Sequence, residues 1–267
     1  MAYQTLKVDL DSQGVLTVSL NRPDIRNAFN ETLISELTQA FGVEAKKPDV
    51  KLVVFKGEGP VFSAGGDLNW MKKSVELSLE DNLKDTTVLS KMFATMNECP
   101  RPVVGAIHGA AIGGGVGLTA ICDLVIATEE TQFSLSEVRL GIIPACIGPF
   151  VISKIGASHA RALFMSAERF LAPHAKQIGL VHTVVKDQSA LKTELERVVT
   201  NMLQCGPKAM EAAKKLILDL TWEDRKKQIP DCLHYVSKML AELRVSPEGQ
   251  EGLKAFLEKR KPGWIKS

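Results

Sequence analysis

Two segments of this chain are built to do chemistry with the backbone: Ser63-Ala64-Gly65-Gly66-Asp67-Leu68 and Gly109-Ala110-Ala111-Ile112-Gly113-Gly114-Gly115-Val116-Gly117. Each follows an apolar run that reads as a strand, Leu52 to Phe55 and Val103 to Ile107, and each leads into a segment able to open a helix. Glycine permits tight turns and lets a ligand approach the main chain closely. A helix N-terminus adds unpaired N–H groups and a partial positive charge. Two such sites facing each other can hold one oxygen that becomes negative during a reaction, which is an oxyanion hole. Taken singly, each segment reads equally well as a loop whose glycines serve packing.

The surrounding elements must position these loops. Lys7 to Leu10 and Val15 to Leu20 flank the turn Asp11-Ser12-Gln13-Gly14 and predict a β-hairpin, ended by Asn21-Arg22-Pro23. Leu33, Ile34, Leu37, Ala40 and Phe41 share one helical face, with Asn30 as N-cap. Ser78-Leu79-Glu80-Asp81 has the form of a capping box for a helix that turns Leu79, Leu83, Met92, Phe93 and Met96 inward. Strands are predicted at Leu124 to Ala127, Gln132 to Ser134 and Leu180 to Val185, with helices from about Gly114 and around Ala160 to Met165. Beyond about residue 188 the period is helical to Lys259, broken at Gly206-Pro207, Ile229-Pro230 and Ser246-Pro247, where proline starts the next helix. An all-helical tail with apolar faces needs something to cover them. Packing on the core and docking on a neighbouring subunit are both expected, which predicts an oligomer.

At 267 residues and 45% hydrophobic the chain can fill one large core. A net charge of +2 argues neither for nor against nucleic acid by itself, and no Lys/Arg run is of the sort that forms an electrostatic footprint, so nucleic acid is not expected as a partner. The five cysteines are scattered and never spaced Cys-x-x-Cys, which suits reduced thiols in a cytoplasm and frames neither a zinc site nor disulfides. No His, Cys or carboxylate cluster has metal-ligand spacing, so no metal is expected. No nucleophile elbow and no phosphate-binding lysine loop is present. Met1 to Leu10 alternates polar and apolar residues, and no run is long enough to span a membrane; cytoplasmic location without membrane association is the expectation.

Five motifs in order resemble the enoyl-CoA hydratase/isomerase (crotonase) superfamily: Ala64-Gly65-Gly66-Asp67-Leu68, Gly113-Gly114-Gly115, Cys122-Asp123, Phe133-Ser134-Leu135-Ser136-Glu137 and Leu140-Gly141-Ile142-Ile143-Pro144. The resemblance runs from Asn21-Arg22-Pro23 to Phe256-Leu257-Glu258-Lys259-Arg260-Lys261-Pro262. Phe62 to Met71 and Gly113 to Leu118 look most like bacterial methylglutaconyl-CoA hydratases of leucine and isoprenoid breakdown. The resemblance implies an α/β spiral of repeated ββα units, assembled as a trimer or a dimer of trimers. Residues 1–187 would form the core with the active site, and 188–267 a helical region for oligomerisation and closure of the coenzyme A pocket. No separate cofactor is implied, since coenzyme A enters as part of the acyl-CoA substrate.

Carried over residue by residue, the oxyanion hole falls on the backbone N–H groups of Gly66 and Gly114. Of the two glutamates that the best-known hydratases carry, the later one is present as Glu137, and Gly117 stands in place of the earlier one. A single glutamate can hydrate by taking a proton from water and delivering it to the α-carbon; it can equally shuttle a proton between two carbons, which is Δ3,Δ2-enoyl-CoA isomerisation. Motif similarity favours hydration and the missing glutamate favours isomerisation. Trp70, Gly117, Ile142 and Cys146 are expected to line the site, and an apolar surround would raise the Glu137 pKa by desolvation.

Coenzyme A contacts carry over to Arg26 for the phosphates, to the backbone of Ala64, Asp67 and Leu68 for adenine and pantetheine, and to Phe256 and Lys259 for closing the adenine pocket. Asp67 doubles as an N-cap. Lys72 and Lys73 are candidates to face the second carboxylate of a methylglutaconyl group. His108, His182 and Asp123 read as structural, the aspartate buried and hydrogen-bonded. Two readings from other classes remain: acyl-CoA binding without turnover, suggested by Gly117, and RNA binding, known for one vertebrate relative of methylglutaconyl-CoA hydratases.

Overall fold

Strands covered on both faces read as unbroken apolar runs, and Leu52 to Phe55 and Val103 to Ile107 are of this kind, every residue of them buried. The computed structural model describes residues 3–228 and 232–265. In chain order the elements are β1 (Leu6–Leu10), β2 (Val15–Leu20), α1 (Glu31–Gly42), β3 (Leu52–Gly57), α2 (Leu68–Glu76), α3 (Leu79–Asn97), β4 (Val103–Ile107), β5 (Ala110–Ile112) and α4 (Gly114–Ala120). There follow β6 (Leu124–Thr128), β7 (Gln132–Ser134), α5 (Gly148–Ser166), β8 (Arg169–Leu171), α6 (Ala172–Gln177) and β9 (Thr183–Val185). The last helices are α7 (Gln188–Leu203), α8 (Pro207–Gln228), α9 (Cys232–Val245) and α10 (Pro247–Leu257).

Two mixed sheets result. The larger has the order β1-β2-β3-β4-β6-β9, parallel except for the antiparallel β1–β2 edge hairpin, and the smaller has the order β5-β7-β8. Side-chain alternation sends Val104 and Ala106 of β4 to one face, where Leu191 and Val198 of α7 cover them. Val103 and Ile107 point the other way, into the main core shared with Phe41, Phe93 and Val116. The C-terminal helices therefore fold back on the core, as one of the two expectations for the tail requires. α9 lies along α3 through a buried polar seam: Ser90 and Ser237 hydroxyls are 2.8 Å apart, and the Thr86 hydroxyl donates to the Ser237 carbonyl at 2.9 Å.

The caps explain several element starts. Asn30 accepts from the Leu33 N–H at 2.9 Å, and Asp67 from the Asn69 N–H at 2.8 Å. Pro207 and Pro247 open α8 and α10, while the predicted break at Ile229-Pro230 lies outside the described residues. Ser78 caps α3 through the Asp81 N–H, but the reciprocal half of a capping box is missing, since the Asp81 carboxylate takes the Ser78 hydroxyl instead. Leu79 is 47% exposed rather than inward, because the first turn of α3 projects beyond the core.

Three other expectations need correction. The strand at 180–185 shrinks to β9; Leu180 and Val181 are buried in a turn, and the His182 ring accepts the Val125 N–H at 2.9 Å just ahead of the strand. Asp123 is exposed, although its carboxylate accepts from the Val103 N–H and the Lys214 ammonium, each at 2.7 Å. The segment opening at Gly109 is not all loop: it contains β5, whose pairing with β7 starts the second sheet. Cys99, Cys122, Cys146 and Cys205 are free thiols. Among the described residues no helix is long and apolar enough to cross a membrane.

Candidate active site

The two glycine segments are stitched to each other and to the residues before α1. Ser63 donates its N–H to the Ala110 carbonyl and accepts from the Ile112 N–H, both at 3.0 Å, which pins the first segment to β5. Phe29 donates to the Gly65 carbonyl at 2.7 Å and accepts from the Asp67 N–H at 2.9 Å, so Gly66 is gripped on both sides. Arg22 adds a clamp from outside, donating to Asp67 Oδ2 at 2.9 Å and to the Ala28 carbonyl. Neither the Gly66 nor the Gly114 N–H has a hydrogen-bond partner among the described residues. Gly114 is the first residue of α4, where such donors are free by construction.

The glycine triplet has a distinct reason at each position. Gly113 turns the chain from β5 into α4 at φ +52°, in the region that disfavours side chains. A Cβ on Gly114 would lie 2.9 Å from the Phe29 ring, and one on Gly115 would lie 2.8 Å from the Ser63 carbonyl oxygen. At Gly66 the tightest neighbour of a Cβ is the flexible Met71 side chain, at 3.3 Å.

Gly66 and Gly114 line one cavity of about 590 Å³, together with Glu137, Trp70, Ile142 and Cys146. Glu137 opens the short 3-10 turn Glu137–Leu140, which lies against α10 because Gly141 and Gly252 leave room for the contact. Its carboxylate lies beside Gly113, with Oε1 3.0 Å from where a Cβ there would be. Oε2 is cut off from solvent and has no hydrogen-bond partner among the described residues. Burial pushes the Glu137 carboxyl up to about 7, against the opposing pull of its own backbone N–H. Arg139 is no counter-ion for it, since its guanidinium donates to the Ala167 carbonyl at 3.0 Å. The Cys146 thiol is pushed up to about 11 by burial and stays neutral.

Not every residue singled out in the sequence reaches this cavity. Gly117 does not line it: a Cβ there would overlap the Ile147 side chain and lie 2.9 Å from Phe93 Cε1, and those two side chains form the cavity wall in front of it. Arg26, Ala64 and Phe256 line the cavity. Asp67 and Lys259 are not among the lining residues, and Leu68, which is 57% exposed, borders a separate cleft with Lys72 and Lys254. Lys73 pairs with Glu31 at 3.1 Å, so neither Lys72 nor Lys73 faces the acyl space. His108 is structural, its Nε2 lying 2.9 Å from the Gly59 carbonyl.

One wall was missed in the sequence. Arg244 of α9 lines the cavity and is only 6% exposed. It donates to Asp85 at 2.6 Å, and its guanidinium carbon lies 5.1 Å from the centre of the Trp70 ring, whose Nε1 also donates to Asp85 at 3.1 Å. The signal was there: Val236, Leu240 and Arg244 fall on one helical stripe, so a charge occupies an inward position.

Comparison with known proteins agrees with this geometry. The family model for enoyl-CoA hydratase/isomerase matches residues 11–267. The 2,3-dehydroadipyl-CoA hydratase of Escherichia coli K12 is 32% identical over 94% of this chain and 94% of its own. A mouse Delta(3,5)-Delta(2,4)-dienoyl-CoA isomerase is 30% identical over 97% of this chain and 81% of its own, so isomerases stand among the relatives too. A solved enoyl-CoA hydratase from Shewanella pealeana superposes with a TM-score of 0.79 at 36% identity, covering 98% of this chain and 96% of the other. The chain belongs to the enoyl-CoA hydratase/isomerase (crotonase) superfamily and has the crotonase fold.

Proposed function

We propose that this protein adds water syn across the 2,3 double bond of an enoyl-CoA thioester, with Glu137 as the one carboxylate that handles protons. The observation that carries this is Glu137 Oε2: buried, without a partner, in the same cavity as two unpartnered N–H groups. The thioester oxygen sits on the N–H groups of Gly66 and Gly114. Glu137, as carboxylate, takes a proton from water while the hydroxyl bonds to the β-carbon. The electron pair of the double bond moves to the α-carbon and the thioester oxygen, giving an enolate. Glu137 then returns the proton to the α-carbon on the same face. A pKa of about 7 suits a group that must both accept and release a proton near neutrality.

In this reading Arg26 meets the coenzyme A phosphates, the backbone at Ala64, Asp67 and Leu68 borders adenine and pantetheine, and Phe256 and Lys259 close the adenine pocket. The acyl group we propose is 3-methylglutaconyl, on the strength of the motif resemblance. Residues 1–187 carry the chemistry, and 188–267 serve assembly into trimers or paired trimers. Leu216, Ile217 and Leu220 of α8, at 59%, 61% and 66% exposure, support a subunit contact there. Light scattering of the purified protein should give at least three times the mass of one chain; a monomer would remove this part of the reading.

Mass spectrometry of products from 3-methylglutaconyl-CoA, beside a Glu137→Gln control, tests the reaction. Gain of one water that disappears in the variant supports it. The walled-off Gly117 favours a second reading, Δ3,Δ2-isomerisation by the same single glutamate, which shows as a double-bond shift without mass gain. Gly66→Pro deletes a donor outright and should cost about 2.7–4 kcal/mol of barrier in either reaction, read from kcat.

A further inference from the structure

A helix that packs on a core presents an apolar stripe, and α9 does so with Val236 and Leu240 until Arg244 takes the next inward position. A guanidinium only 6% exposed is costly unless its donors are used. Here they are used on one side only. Nη1 donates to Asp85 Oδ2 at 2.6 Å and reaches Asn82 Oδ1 at 3.4 Å, while Nε and Nη2 have no partner among the described residues. The Nε/Nη2 edge carries two parallel N–H bonds spaced to meet the two oxygens of a carboxylate. Asp85 and the Trp70 ring hold the group in place: the indole donates to Asp85 at 3.1 Å and the guanidinium stacks at 5.1 Å from its centre.

Its place in the cavity gives this edge a meaning. The Trp70 side chain reaches both Gly66 and Arg244: its Cε3 atom lies 3.8 Å from where a Cβ on Gly66 would be, and its ring carries the guanidinium. An acyl chain that runs along the indole from a thioester held at Gly66 would meet the guanidinium. Leu89, Leu240 and Ile142 supply apolar wall for the few carbons between. Lys72 and Lys73, the lysines that the sequence suggested for a distal charge, lie outside this space.

We infer that Arg244 selects the acyl group by pairing its Nε/Nη2 edge with a carboxylate at the far end of a short chain, so that the substrates are ω-carboxy enoyl-CoA thioesters. The inference rests on the reading of this cavity as an acyl-CoA site, but not on whether the reaction is hydration or isomerisation.

Binding of two saturated thioesters, glutaryl-CoA and butyryl-CoA, tests it by calorimetry, because neither can be hydrated or isomerised. The native protein should bind glutaryl-CoA about tenfold or more tightly than butyryl-CoA, which is about 1.4 kcal/mol. Arg244→Lys keeps the charge but loses the fork and should reduce the ratio. The double variant Arg244→Met, Asp85→Asn leaves no buried charge alone and should bring the ratio to one. Equal affinities in the native protein, or a ratio that survives in the variants, would overturn the inference. Should the double variant not fold, the native ratio and Arg244→Lys decide. Binding of neither thioester would instead overturn the acyl-CoA reading itself, and this inference with it.

Discussion

Glu137 and Gly117 occupy the two places from which proteins of this superfamily bring carboxylates to their substrate, and this chain has treated them in opposite ways. Around Glu137 the structure makes room: glycine at 113 leaves space for the carboxylate, and glycines at 141 and 252 let its turn lie against α10. Around Gly117 the structure removes room. Ile147 and Phe93 close over the position, and both have their outer surface on the cavity. The missing glutamate is therefore not a vacancy that a water molecule could fill as a stand-in. The second position has become part of the core, and in the proposed reaction the proton work falls on one group, whose burial lifts its pKa to about 7.

Removing the carboxylate should give the largest effect. Glu137→Gln keeps the shape and hydrogen-bonding size of the side chain while ending proton transfer, and kcat should fall by about 10²–10⁴-fold. For the native protein, kcat/KM should rise with pH through about 7, as the carboxylate becomes the dominant form, and the residual activity of the variant should lack that rise. A modest loss in Glu137→Gln, or a pH profile shared by both proteins, would move the chemistry elsewhere and dissolve the contrast between the two positions.

Restoring the second glutamate should fail. Gly117→Glu must displace Ile147 and Phe93 and bury a charge without a partner, so it should destabilise the fold by more than about 3 kcal/mol and not raise turnover. Even Gly117→Ala should cost about 1–3 kcal/mol, since its methyl group alone overlaps Ile147. Denaturant unfolding of both variants measures this. A stable Gly117→Glu protein with faster hydration would show that the wall opens, and that the position is still in use.

The two positions also mark how far the sequence could be read. Strand and helix positions with strong periodicity, such as Val103 to Ile107 and the face of α1, follow from local pattern. The two glycine segments stand out by their place between strand and helix, while the choice of Gly66 and Gly114 within them rests on the family resemblance. What Gly117 means follows from neither, because its answer lies in Ile147, thirty positions on, and in Phe93 from α3. Packing between distant segments is not written in spacing. β8 and the shortening of the 180–185 strand have the same cause: three-residue strands carry little alternation, although β7, equally short, is legible. Arg244 was legible in principle, as a charge on an apolar stripe, yet its neighbours Asp85 and Trp70 come from elements more than 150 residues earlier. Asn82, Thr86 and Ser90, polar residues on the buried side of α3, are the other half of that signal.

A carboxylate held in a place shaped for catalysis rather than stability should weaken the free protein, and the sign follows from linkage. Glu137 is raised from 4.5 to about 7 in the folded chain, so between those values the unfolded chain releases a proton that the folded one keeps. Its contribution to stability is full below about 4.5 and is lost as pH rises through about 7, a total of about 3 kcal/mol. Glutamine does not titrate. Glu137→Gln should therefore melt close to the native protein at pH 4.5 and above it at pH 8, the gap opening across that window. Parallel melting curves at all pH values would mean that the carboxylate finds a partner or water in solution. The one-carboxylate site would then be wetter than the cavity wall around Gly117, and the difference between the two positions would be one of shape alone.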